Sequence, residues 1–529
     1  MKISRRHFIQ AGAGTAIAVA AGGCDRAESP LSRLLNPLPR FSGSFKVPGG
    51  AAIDPVVHAI NRLSFGARPG DYARICGMGA TKEEAAQAWI EEQLHPERID
   101  DTEAERVYRR LEELDFAKDG LFEMKAEVLM RELVHGTVLR AVYSKRQLFE
   151  VMVHFWTDHF NIAVTKRDCQ WLKAWDDREV IRKFALGPAI PEAAAGLSGA
   201  MREFFTGSPA TPAPTGSKFR DMLRASALSP AMLWYLDGRD NRTDGRDSKP
   251  NENYARELLE LHTLGVHGGY TQKDIMEIAR CLSGWTVWSR RQGLFRGGAG
   301  AVSFQPGRHD NGPKEVLGHI IPAGLGEKDI DRVLDIVALH PATCRHIATK
   351  LCRRFISDAP PEQAITTVVA AFKQSDGDIR DTLRALFATE AFRTSTGVRF
   401  KRPFHFLVSA LRATNAAVRV QFNAANDEGL MTFLVQTGHT PFHYPTPDGY
   451  PEDPGHWMGT LLWRWKFAQE LERGSFGVSP DALAAQAGGD TALMAHLLGR
   501  APDAREIAEF HESGQGLALC LSGPAFQMF

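Results

Sequence analysis

Residues 251–275 read NENYARELLELHTLGVHGGYTQKDI, and their spacing decides the fold class. Ala255, Leu258, Leu259 and His262 recur at steps of three and four, the period of one face of an α-helix. Asn251 stands before the stripe as an N-cap, and Glu252 follows in the first turn, where the helix dipole favours an acid. The same period returns on both sides of this segment. Leu148, Met152, Phe155 and His159 form one stripe, Ile330, Val333, Leu334 and Val337 another, and Ile347, Leu351 and Phe355 a third. Thr271 caps QKDIMEIARCLSGW and Asp378 caps IRDTLRALF. No series of short alternating strands occurs. The chain is therefore expected to be mainly α: a large multi-helical domain with long Gly/Pro-rich loops and at most a small β-hairpin.

Composition narrows the class further. Of the 529 residues 43% are hydrophobic and 24% charged, which excludes a disordered, collagenous or polytopic membrane chain. Lys plus Arg and Asp plus Glu number 63 each, so the basic field that nucleic acid requires is missing. Residues 51–475 read as the helical core and 476–529 as a C-terminal helical segment packed on it. Residues 206–217 (TGSPATPAPTGS) read as a flexible surface insertion. Residues 289–326 form a Gly-rich excursion between helices, of a length that more often serves function than connection. IRDTLRALFATEAF (379–392) and GLALCLSGPAF (516–526) look alike, each a helix ending in a small-residue turn and Ala-Phe.

The N-terminus reads as an address. Ser4-Arg5-Arg6-His7-Phe8-Ile9-Gln10 resembles a twin-arginine export signal, and the apolar run Ala11 to Ala21 is shorter than the ~20 residues of a spanning helix. Residues 1–23 are expected to be the signal peptide and 24–50 a Pro/Ser/Gly-rich linker. Removing the signal leaves the body with three more acids than bases. Ala21-Gly22-Gly23-Cys24 resembles a lipoprotein cleavage box, with Ala21 where Leu is usual. A lipidated Cys24 tethers the protein to a membrane; cleavage without lipidation releases it to the periplasm. The other six cysteines include no Cys-x-x-Cys and read as scattered buried thiols.

Several segments together resemble the "domain of unknown function 1800" family. They are HAINRLSFGARPGD (58–71), FWTDHFNI (155–162), SPAMLWYLDG (229–238), residues 251–275, SGWTV (283–287), HDNGPKEVLG (309–318), HPATCRHIATKLCRRFI (340–356), RPFHFLVSALRAT (402–414) and TPFHYPTPDGYPE (440–452). The resemblance spans roughly residues 55–470. It implies an exported, largely helical bacterial protein, with a second exported protein as the expected partner. It implies no particular reaction.

Three clusters are candidates for chemistry. On the helix from Asn251, the residues Asn253, Glu257 and Glu260 share a face and are placed to converge on a cation, with His262 leaning to the apolar side. Arg256 either orients a substrate carboxylate or pairs with Glu252 and Glu260 at i, i+4. Glu150, His154 and Asp158 recur every four residues beside His159 and Asn161, a donor set that suits a divalent transition metal. His309 and Asp310, in the long excursion, read as a ligand, an acid–base pair, or a turn in which Asp310 caps its own backbone. The aromatic stretch Phe442 to Tyr450 reads as the rim of a groove or as a cover over the core.

Two functions follow. The first is an exported metal-dependent enzyme of the cell envelope, hydrolytic or oxidative. In it Glu257, Arg256, His309 and Asp310 serve catalysis, and His154, His159, Glu260 and His262 hold a divalent transition metal. The second is a non-catalytic envelope binding or assembly protein whose polar cluster is an internal hydrogen-bond network. The absence of Glu-x-x-His from either helix argues against a di-iron centre. No His-Glu-x-x-His, Gly-x-Ser-x-Gly, Walker loop or dinucleotide fingerprint occurs.

Overall fold

A computed structural model describes residues 38–108, 111–187, 218–244, 249–293, 298–419 and 429–529. The signal peptide, Cys24 and the 206–217 insertion lie outside the described residues. The remainder is mainly α. The helices that build the centre are α1 (Pro55–Leu63), α2 (Ala126–Tyr143), α3 (Gln147–His159), α4 (Glu252–Glu257), α5 (Gln272–Cys281), α6 (Pro341–Phe355), α7 (Glu362–Gln374), α8 (Ile379–Phe387), α9 (Pro403–Ala413), α10 (Leu461–Glu472) and α11 (Gly516–Ser522).

The stripes read from the sequence are the buried faces. Leu148, Met152, Phe155 and His159 of α3 are all buried, as are Ile347, Leu351 and Phe355 of α6. Trp156, on the same helix as the first stripe, is also wholly buried and donates its indole N–H to the Ala185 carbonyl at 3.2 Å. Helix α6 packs on α7 and α7 on α8, while α10 packs on α11. The expected caps are present. The Thr271 hydroxyl and the Asp274 carboxylate form a capping box on α5, and Asp378 accepts from the Asp381 N–H on α8.

Helix α4 ends after Glu257 and gives way to a single π turn, Leu258–His262. The extra residue per turn departs from the α-helical period assumed from the stripe. Among the described residues the strands are two antiparallel pairs, β1 (Trp285–Val287) with β2 (Val302–Phe304) and β3 (Lys314–Val316) with β4 (His319–Ile321). The β3–β4 hairpin turns at Leu317 and Gly318, both at positive φ, as a turn that follows the right-handed strand twist requires. The 289–326 excursion thus carries more strand than the single hairpin expected.

Residues 38–50, read as part of the linker, lie on the body. Arg40 donates to the Asn415 carbonyl at 2.8 Å, the Phe41 N–H bonds the Asn415 side chain at 3.1 Å, and Phe45 is buried against His496. Of the six described cysteines none is bridged, and all but Cys76 are buried. No helix among the described residues is long and apolar enough to cross a membrane.

One buried cation ties the ends of three elements together. Arg412 of α9 is 3% exposed and donates to the carbonyls of Gly66 (2.7 Å) and Val142 (2.7 Å), the latter an orphan acceptor at the C-terminus of α2. Its other nitrogen faces Asp71 at 3.4 Å. Arg412→Met keeps most of the volume and strands both carbonyls. It is expected to lower the stability to denaturant by about 2–4 kcal/mol, measured as a shift of the unfolding midpoint at unchanged slope.

Candidate functional site

Of the segments that carry the family resemblance, 155–162, 340–356, 402–414 and 440–452 meet at the C-terminal end of α3, with His262 of 251–275 beside them. The loop 440–453 is drawn across this end by backbone contacts. Val164 N–H bonds the Phe442 carbonyl at 2.9 Å, and the Asn161 amide donates to the carbonyls of Tyr444 (3.0 Å) and Thr446 (2.7 Å). Gly449, at φ +75°, passes so close to α3 that a Cβ there would lie 2.2 Å from the Asp158 carbonyl oxygen. Phe442 and Tyr450 are buried, so the aromatic stretch is a cover over the core.

Beneath this cover the Glu150–His154–Asp158 stripe exists as read, but each carboxylate is taken by a different arginine. Glu150 accepts a forked pair from Arg182 at 3.1 Å, and Arg182 also holds Asp177 at 2.8 Å. Asp158 faces Arg402 at 2.8 Å. The other nitrogen of Arg402 donates to His154 Nδ1 at 3.1 Å. Because a guanidinium only donates, His154 is a neutral acceptor at that nitrogen. Burial, then the Arg402 charge, hold its pKa well below the usual histidine value. Arg402 continues to Glu452 at 3.4 Å, Glu452 to Arg399 at 2.5 Å, and Arg399 to Asp358.

His159 and His262 lie one layer deeper. Lys350 of α6 donates to His159 Nδ1 at 2.9 Å, which leaves Nε2 to donate to the His262 carbonyl at 3.2 Å. Burial pushes the Lys350 ammonium down to about 8, against the opposing pull of Asp158 and Glu452. The His262 ring is 1% exposed, lies 5.1 Å from the Phe160 ring, and has no partner at either nitrogen among the described residues. Burial takes its pKa down to about 3.

The acidic helix stands apart, on the surface. Arg256 pairs with Glu252 at 3.1 Å and Glu260 at 3.5 Å, the i, i+4 ladder. Glu257 is half-buried with no hydrogen bond to its side chain among the described residues, its carboxyl pushed up by burial and by neighbouring Glu260. Asn253 donates to the Leu236 carbonyl at 3.1 Å. Glu257 and Glu260 are thus neighbours, with Glu260 paired to Arg256 and the Asn253 amide nitrogen bonded to backbone.

His309 and Asp310 belong to a second cluster that, among the described residues, shares no hydrogen bond, ion pair or ring contact with the cluster around α3. His309 Nδ1 donates to the Ser283 carbonyl at 2.8 Å and Nε2 faces Asp329 at 3.2 Å; Asp329 also pairs with Lys314. Asp310 is held by Arg280 at 2.7 Å and accepts from the Gly312 N–H at 2.9 Å, the self-capping turn. Of the four residues expected to share a metal, His159 and His262 adjoin, ring centroids 6.2 Å apart, while His154 is bonded to Arg402 and Glu260 is paired with Arg256. Among the described residues no group of three or more His, Cys, Asp or Glu side chains is placed to hold one ion.

Space follows the same division. A cavity of about 20 Å³, room for about one water, lies among Glu150, His154, Asp158, Asp177, Arg182 and Tyr450. A cleft of about 800 Å³, lined by Arg68, Asp71, Trp89, His95 and Lys145 among others, includes none of the predicted residues.

The family model described as "Protein of unknown function (DUF1800)" matches residues 58–528. The chain belongs to the DUF1800 family. The match extends beyond the roughly 55–470 read from the motifs, so the C-terminal helices are part of the DUF1800 unit. No curated protein and no solved structure matches the chain.

The central residues that the sequence reading missed are Lys350, Arg354, Arg399, Arg402 and Glu452. One signal was legible: Arg354 lies seven residues after Ile347, on the stripe that α6 buries. A cation on an apolar stripe asks for a partner. Nothing local names Glu452 or Asp158 as neighbours of Arg402, since they arrive from distant segments.

The buried imidazoles set a pH dependence. His58 is held at about 4 and His262 at about 3, in each case by burial first, whereas the unfolded chain titrates near 6.5. Below that pH the unfolded state takes up protons that the folded state refuses, so stability present above pH 6.5 is lost as pH falls. These two groups alone withdraw about 3–4 kcal/mol between pH 6.5 and 5. Denaturant titrations at pH 7 and pH 5 are expected to show at least that loss; equal midpoints would mean that the imidazoles are protonated in the fold.

Proposed function

We propose that this DUF1800 protein is a non-catalytic binding or assembly protein of the cell envelope, exported by the twin-arginine route, whose His/carboxylate cluster is a structural lattice of ion pairs. The observation that carries this reading is the identity of the partners. The imidazoles and carboxylates that would ligate a metal face Arg402, Lys350, Arg182 and Arg256. A divalent ion placed among them meets like charge at close range, a repulsion of about 4 kcal/mol per pair of unit charges at 4 Å even in a fairly polar protein medium. The water-sized cavity beside His154 and Asp158 supports the same reading, because it leaves no room for a substrate. Export rests on the Arg5-Arg6 segment and the tether on Cys24, with a co-exported envelope protein as the proposed partner.

One observation favours a second reading, an enzyme. Lys350, with its ammonium pushed down to about 8 and bonded to His159, is poised for proton transfer without a metal. This reading needs a route for substrate to Lys350 beneath the 440–453 cover.

Elemental analysis of the natively exported chain, purified without chelator or polyhistidine tag, separates the metal enzyme from the lattice. The lattice predicts transition metal far below one equivalent, unchanged in His154→Ala. Near-stoichiometric metal that is lost in His154→Ala and Glu257→Ala would overturn it.

A further inference from the structure

Behind the ion-pair chain, two arginines make no ion pair with a carboxylate of the described residues, although Asp358 and Glu452 act on them from further off. Arg62 is wholly buried; one Nη donates to the Ser395 carbonyl, and Nε and the other Nη have no partner among the described residues. Arg354 is 6% exposed and makes no hydrogen bond or ion pair with a described residue. Both guanidiniums lie against one aromatic ring, their central carbons 5.1 Å and 5.8 Å from the Phe529 centroid. The His405 ring is 4.6 Å from the same ring, and its Nε2 is buried without a partner. Arg399 spends both Nη groups on Asp358 and Glu452 and keeps a buried Nε unpartnered.

The acids nearby are already used. Asp158 and Glu452 serve Arg402 and Arg399, and Asp358 serves Arg399. Two buried like charges held beside one ring, with hydrogen bonds unmade, are unfavourable unless an anion joins them. Burial first lowers the pKa of both guanidiniums; at Arg62 the Arg399 and Arg354 charges add to it against Asp358, and at Arg354 the pull of Glu452 opposes it while Arg399 and Arg402 add to it. The donors come from three segments of the chain, α1, α6 and residues 399–405, and share the Phe529 residue: its ring faces Arg62, Arg354 and His405, and its carbonyl accepts from the Arg399 N–H at 3.0 Å. Guanidinium forks match the oxygens of a phosphate or carboxylate and lose little freedom in doing so.

We propose that Arg62 and Arg354, completed by Arg399 Nε and His405, form a binding site for a small oxyanion group, a phosphate or a carboxylate. This goes beyond the structural lattice, which would stand without it.

The test is thermal unfolding of the purified chain at fixed ionic strength, with inorganic phosphate or acetate replacing chloride. Wild type is expected to show a saturable rise in Tm of at least about 2 °C with one of the two. A rise with phosphate alone assigns a tetrahedral oxyanion, with acetate alone a carboxylate, and with both the shared chemistry. Arg354→Met is expected to lose the rise while keeping the wild-type Tm in chloride, since it takes away no hydrogen bond or ion pair with a described residue and Met fills the space against Phe529. Should that variant not fold, Arg354→Lys keeps the charge and loses the fork, and its half-saturating concentration is expected to rise at least about tenfold. No saturable rise with either anion, or a rise of equal size and midpoint in the Arg354 variants, overturns the proposal.

Discussion

A charge placed inside a protein must find an opposite charge and enough hydrogen bonds, or the fold loses several kcal/mol. In this chain that constraint is concentrated on Arg402, the residue before Pro403 at the start of α9. Its two ends reach Asp158 and His154 on α3, and it faces Glu452 from the covering loop. Helix α3, helix α9 and the 440–453 loop are therefore held in one register by a single guanidinium. The chain of pairs continues through Arg399 to Asp358, just beyond α6. Apolar burial supplies the bulk of the stabilisation, but it is indifferent to small sliding of one helix on another. Directional ion pairs are not.

Much of the helical architecture was legible because it is local. The stripes at 148–159 and 347–355 are buried where the period placed them, and the caps at Thr271 and Asp378 bond the amides they were assigned. The two look-alike segments also fold alike: α8 is followed by a short helix at Glu390–Thr394 and α11 by one at Pro524–Gln527, with Phe392 and Phe526 buried. The π turn at Leu258–His262 was not legible, since periodicity assumes 3.6 residues per turn and does not mark where one turn takes an extra residue. The docking of residues 38–50 was hidden by their Pro, Ser and Gly content, which says nothing of Phe45 finding a pocket against His496.

The site was legible in part, for the same physical reason. The Glu150–His154–Asp158 face and the Glu252–Arg256–Glu260 ladder depend on steps of four along one helix and are present as read. The chemistry assigned to them depended on partners that sequence spacing cannot reveal. Asp158 meets a residue 244 positions away and His159 one 191 positions away, and both partners are cations. A donor set that looks like a metal site along a single helix becomes an ion-pair network once these side chains arrive. His309 and Asp310, adjacent in sequence, divide in the fold between Asp329 and Arg280.

If the Arg402 pairs hold the centre together, their energy is measurable without knowing what the protein binds. The most direct measurement is a double-mutant cycle in chemical denaturation with Asp158→Asn, Arg402→Met and the double variant. Each single change is expected to cost about 3–5 kcal/mol, because Arg402→Met strands Asp158 and Asp158→Asn leaves Arg402 with Glu452 alone, and the double variant is expected to recover at least about 2 kcal/mol of the summed loss. Losses that simply add, within about 0.5 kcal/mol, would show that the two residues do not hold each other and would contradict the structural reading of the cluster.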